Sequence, residues 1–144
     1  MRRLLVVLGV TAAVGCTGPV RSYPVYASKA AATAGAEGSA VETARLAVGQ
    51  AAAGKLFGRT LAQTLAEAAS DGGDAQSTFD AIQPPDRRSD QLRNQLDELL
   101  APAVSALEDL RTAARRGDLA AMPRLARPLA RLRQQLDRFQ QAHR

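Results

Sequence analysis

Few residues in this chain of 144 are of types that carry out chemistry at a site. His143 is the only histidine and Cys16 the only cysteine, so one chain holds neither a disulfide nor a cysteine metal cluster. A single histidine beside the last residue, without cysteines or clustered carboxylates, does not make a transition-metal site. A haem-carrying bundle would need an attachment motif of the C-x-x-C-H kind, which this sequence lacks. The acidic pairs Asp97-Glu98 and Glu108-Asp109 are the next candidates, because paired carboxylates do general acid–base work. On a helix, Asp97 and Glu108 share a face but lie about 16 Å apart along the axis. That is beyond the separation used in glycoside hydrolysis. Arg93 with Asp97, Glu108 with Arg111, and Arg133 with Asp137 instead have the spacing of solvated helix pairs. There is no G-x-S-x-G, P-loop or dinucleotide fingerprint. The residues predict no catalytic group, no metal ligand and no cofactor, and the chain reads as a non-enzyme.

Arginine is the remaining candidate. Toward the end of the chain, Arg124, Arg127, Arg131, Arg133, Arg138 and Arg144 face a single acid, Asp137. Arg124, Arg131 and Arg138 recur every seven residues, so a continuous helix would set them in one line. With Arg127 they form a candidate surface for anionic lipid headgroups or an acidic wall polymer. The plainer reading is a solvated arginine face that pairs with acids on the preceding helix. The net charge of +5 is only mildly basic and does not argue for nucleic acid.

What positions these residues begins at the amino terminus. Arg2 and Arg3 precede an apolar run from Leu4 to Val14, followed by Gly15 and Cys16. A short positive segment, a mainly apolar run of eleven residues and small residues at the end form a signal-peptide pattern, and the run is too short to span a bilayer. Through Ala13-Val14-Gly15-Cys16 the segment resembles the signal peptides of bacterial lipoproteins. The resemblance implies a diacylglyceryl group on the Cys16 thiol, cleavage before Cys16 and an extracytoplasmic protein held to the membrane by its lipid. An ordinary secretory signal, an uncleaved anchor and a twin-arginine export signal built on Arg2-Arg3 are the alternatives. Cutting before Cys16 would remove Arg2 and Arg3 and lower the charge from +5 to +3.

From residue 16 to residue 38, Pro19, Pro24, Gly35 and Gly38 interrupt any sustained apolar period, and this segment reads as a lipidated cysteine on a flexible tether. Tyr23 and Tyr26 within it are either headgroup-level aromatics or ordinary linker residues. Residues 39–144 read as an all-α, small up-and-down antiparallel bundle of three long helices and a short one. The first helix is expected from Ser39 or Val41 to Ser70, with a break or close approach at Gly54-x-x-x-Gly58, ended by Asp71-Gly72-Gly73. A short helix over Asp74–Ile82 stops at Pro84-Pro85.

The third helix, capped by Asp86 or Ser89, has the seam Leu92, Leu96, Leu99, Ala103, Leu107, Leu110 and Ala114. Leu100 and Val104 widen this seam, and a kink is expected at Pro102. Gly117 and Asp118 make a tight reversal into a fourth helix with the seam Met122, Leu125, Leu129, Leu132, Leu136 and Phe139. Pro123 and Pro128 bend its first half. With aromatics at 3% and no Trp, the core must be built from Leu, Val and Ala.

The function this implies is a lipid-anchored, non-catalytic structural or protein-interaction module of the cell envelope. Its partners would be the membrane through Cys16 and an envelope protein. Anionic binding by the fourth-helix arginines is the alternative. Small-ligand sequestration between helices kinked at Pro102 and Pro128 is the second.

Overall fold

The computed structural model describes residues 20–144, so the signal segment and Cys16 lie outside the described residues. The chain runs through α1 (Tyr23–Ala52), α2 (Gly58–Asp80), α3 (Arg87–Arg115), α4 (Met122–Leu125) and α5 (Leu129–Ala142), with no strand among the described residues. Three long helices and a fourth arm broken into α4 and α5 form the expected antiparallel up-and-down bundle. Helix α1 touches every other helix. Helices α2 and α5 flank it without meeting, and α3 closes the remaining side.

The bundle begins at Tyr23, not at Ser39. Residues 23–38, expected in the tether, are the first half of its central helix. Pro24 starts this helix instead of interrupting it, because a first-turn N–H has no intrahelical partner to lose. Ala27, Ala30, Ala31, Ala34, Ala40 and Ala44 are buried, and alanine is the best helix former. Gly35 and Gly38 lie where α5 presses closest. A Cβ at Gly35 would run into the Gln140 amide, and one at Gly38 into the Arg133 guanidinium.

The expected helix from residue 39 to residue 70 is cut at Gly54, so of the two readings of this stretch the break is the one that forms. There Gly54 takes φ +70°, its N–H donates to Ala51 O, and the Lys55 N–H donates to Gln50 O at 2.9 Å. These two bonds are a Schellman cap, which favours glycine at the left-handed position. Gly54-x-x-x-Gly58 is therefore a loop and not a helix-packing motif, and a Cβ at either glycine would meet nothing within 4 Å. Conversely, Asp71-Gly72-Gly73 does not end a helix. Helix α2 runs through it, anchored on either side by the buried Leu61, Leu65, Ala68, Ala69 and Phe79. The separate helix expected over Asp74–Ile82 is the last part of α2.

The second half of the chain follows its pattern more closely. Asp86 caps α3 by accepting from the Ser89 N–H at 2.8 Å and the buried Ser89 hydroxyl at 2.9 Å. These bonds hold its carboxyl below the usual range. Gly117, also at φ +70°, makes a second Schellman cap, with its own N–H on Ala114 O and the Asp118 N–H on Ala113 O. Asp118 then accepts from the Ala121 N–H at 3.1 Å, but the chain turns once more before α4 begins. Pro123 and Pro128 delay the straight part of the fourth arm until Leu129. The α3 seam is rotated slightly from expectation: Leu100 is fully buried, whereas Leu99 and Ala114 are half-buried.

Candidate functional site: an exposed arginine face and a buried carboxyl

Arg124, Arg127, Arg131 and Arg138 are all exposed. Arg131 and Arg138 sit two turns apart on α5, as the seven-residue spacing requires. The turn at residues 126–128 places Arg124 on a separate piece of helix, so the expected single line of three is interrupted. Arg124 instead lines a shallow groove of about 350 Å³ with Pro102, Ser105, Asp109, Leu125 and Pro128. This is where ligand sequestration beside the two prolines was expected, and the depression there is open and not enclosed.

The expected pairing of these arginines with acids of the preceding helix is not found. Among the described residues, the one ion pair on this arm is Arg133–Asp137 at 2.8 Å, and both partners belong to α5. The groups that stay close to this face explain the difference. Arg133 is held over Gly38, and the α5 seam faces mainly α1 and not α3. Glu108–Arg111 forms as expected at 2.7 Å.

Arg93–Asp97 does not form. The Arg93 side chain crosses to α1, donating from Nε to the Tyr26 hydroxyl at 3.0 Å and from its terminal nitrogen to the Ile82 carbonyl. Tyr26 is neither a headgroup aromatic nor a linker residue. It is fully buried, its ring centroid is 5.3 Å from that of Phe79, and burial pushes its hydroxyl pKa up. Tyr23 is half-buried beneath Arg88, whose guanidinium lies 3.7 Å from the ring centroid. With no ion pair to Arg93, Asp97 keeps one buried oxygen unpartnered; burial raises its pKa, nearby Asp80 adds to the rise and the Arg93 charge opposes it.

His143 packs on Phe139, with ring centroids 4.5 Å apart. Among the described residues, no three His, Cys, Asp or Glu side chains gather as a metal site would require.

The residue that pattern reading missed is Glu37. It is fully buried, and neither carboxyl oxygen has a hydrogen-bond partner. A Cβ on Gly72 of α2 would lie 2.8 Å from its Oε2 and 2.9 Å from Leu107 Cδ1 of α3, so the side chain fills the space where three helices meet. Burial alone pushes its carboxyl up to about 7, with no charged neighbour contributing. Such a group holds its proton near neutrality, but solvent does not reach it, which unsuits it to acid–base work on a substrate. One signal was available: Glu37 is the only charged residue between Lys29 and Glu42 in a run of small residues.

Comparison with protein families, with curated proteins and with solved structures found no match to the chain.

Proposed function

We propose that this chain is a lipid-anchored, extracytoplasmic helical bundle that acts by binding an envelope partner and not by catalysis. The observation that carries the reading is the position of Cys16, directly after an eleven-residue apolar run with an arginine pair ahead of it. The fold sharpens what anchoring would mean. With α1 starting at Tyr23, only the seven residues Cys16–Ser22 join the lipid to the bundle, and seven residues reach at most about 25 Å. The anchored domain would rest close to the bilayer with its Tyr23 end inward, not at the end of a long spacer. Arg21, Arg87, Arg88 and Arg144 belong to that end, where cations favour anionic headgroups.

Mass spectrometry of the mature amino terminus tests the anchor. The expected result is a terminus at Cys16 carrying a diacylglyceryl group, with Cys16→Ser releasing the protein from the membrane fraction. An unmodified Cys16, or a terminus elsewhere, overturns it.

The exposed arginines support a second reading, in which Arg127, Arg131 and Arg138, with Arg124 on the adjoining turn, bind an anionic lipid or wall polymer. None of these four has an acidic partner among the described residues. Binding to phosphatidylglycerol vesicles that disappears with salt and with Arg124, Arg131 and Arg138 changed to Gln supports this reading, and no binding at low salt removes it.

A further inference from the structure

The opposite end of the bundle, about 45 Å away along the thirty residues of α1, has a different character. There the last turn of α1, the start of α2 and the turn after α3 enclose a cavity of about 130 Å³. Its walls are apolar: Val48, Ala51, Leu56, Leu61, Leu119 and Met122. Two large apolar side chains stand in solvent on the same loops, with Phe57 78% exposed and Leu119 55% exposed. Isolated exposed apolar residues are ordinary, but two of them on the loops that frame an apolar hollow mark a binding surface.

The charged side chains that adjoin the lining residues in sequence are mostly of one sign. Lys55 and Arg59 flank Leu56 and Gly58, and Arg115 and Arg116 precede the turn that carries Leu119. All four are exposed, and none takes part in an ion pair among the described residues. The acid in these turns is Asp118, which is engaged with the Ala121 N–H. A second copy of this chain would bring the same cations to the contact, so self-association through this end is opposed. The volume is close to that of the roughly 150 Å³ cavity that accepts a benzene-sized guest, too small for a whole lipid. What fits is one apolar group whose continuation emerges into a positive rim.

We infer that this cavity binds a single-chain anionic amphiphile, such as a fatty carboxylate or an alkyl phosphate. The apolar end sits among Leu56, Leu61 and Met122, the chain continues along Phe57, and the head group meets Lys55 and Arg59. Apolar burial supplies the affinity and the cations supply preference for the charged head.

The test uses purified Cys16→Ser protein, which keeps acyl groups and detergent out of the measurement. Laurate, dodecyl phosphate and neutral dodecanol are titrated below their micelle concentrations. The expected result is saturable one-to-one binding of both anions, stronger than that of dodecanol and weakened by salt. Ala52→Trp, placed at an exposed position on the cavity wall, should weaken both anions about tenfold, the effect of losing one well-buried apolar contact. Lys55→Gln with Arg59→Gln, two surface changes, should abolish the preference over dodecanol while circular dichroism is unchanged. No saturable laurate binding overturns the inference, as does laurate binding indifferent to both sets of changes. Association with phosphatidylglycerol vesicles without binding of monomeric laurate also overturns it, assigning the apolar end to a bilayer surface instead.

Discussion

Helices α1 and α5 face each other along the bundle and solve the packing problem in opposite ways. Helix α5 is strongly amphipathic, with Leu129, Leu132, Leu136 and Phe139 inward and arginines outward. It has one neighbourly face because it lies at the edge. Helix α1 is packed by α2, α3 and α5 at once, so it buries small residues around much of its circumference and has almost no polar side opposite an apolar one. Small side chains let the neighbouring backbones approach, and the bulk that fills the core comes from the leucines of α2, α3 and α5. A helix at the centre of a bundle is thus recognised by small residues spread around its circumference, with a few larger ones such as Tyr26 and Val41 buried among them, and a helix at its edge by a stripe.

The same substitution on the two helices should separate these roles most sharply. Ala34, fully buried on α1, has no room for growth, so Ala34→Leu should cost about 3 kcal/mol or more. Ala130→Leu on the exposed face of α5 should change stability by no more than about 0.5 kcal/mol. Urea denaturation of both variants checks the pair, and similar costs would break the distinction between a central and a peripheral helix.

Glu37 is the second test, because only a fully enclosed α1 leaves a carboxyl without water. Below its ordinary value of 4.5, the folded and unfolded chains both hold the proton and ionisation costs nothing. Between 4.5 and about 7 the unfolded chain ionises while the folded one does not, so stability falls as pH rises. Above about 7 the folded carboxyl ionises too and the loss levels off, at about 3 kcal/mol in total. Denaturation of the native chain and of Glu37→Gln across this range should therefore give profiles that diverge with rising pH, the native chain falling relative to the variant. Parallel profiles would mean that the carboxyl is hydrated and the centre of the bundle open.

The smallest expected effect has the opposite sign. A Cβ at Gly49 would meet nothing within 4 Å, so Gly49→Ala should raise stability by about 0.5–1 kcal/mol through helix propensity alone. At Gly72, where Glu37 and Leu107 occupy the space, the same change should lower it. Thermal unfolding of the two variants tells a merely tolerated glycine from a required one, and stabilisation at both positions would remove the close approach of α1, α2 and α3 at Gly72.

How much was legible follows from the same contrast. The Asp86 cap, the Gly117 reversal, the late start of α5 and both leucine seams could be read because each depends on residues close in sequence. The span of α1 could not. Its Pro24, Gly35 and Gly38 have the composition of a tether, and only the Gln140 and Arg133 side chains of α5, about a hundred residues away in sequence, show that two of them are contacts. Spacing alone pairs Arg93 with Asp97. The Tyr26 hydroxyl that takes it instead lies 67 residues away.

The sequence by itself determined the class of the fold, the reversal at Gly117, the amphipathic outer arm and the apolar run that precedes Cys16. Local hydrogen bonding, cap chemistry and side-chain period are short-range properties, written in neighbouring residues. Only the tertiary structure decided which helix is central, where the domain begins, why Glu37 is without a partner and which loops frame the apolar cavity. Those depend on what the other helices leave unfilled, and alanine and glycine record no preference about that until the neighbours are in place.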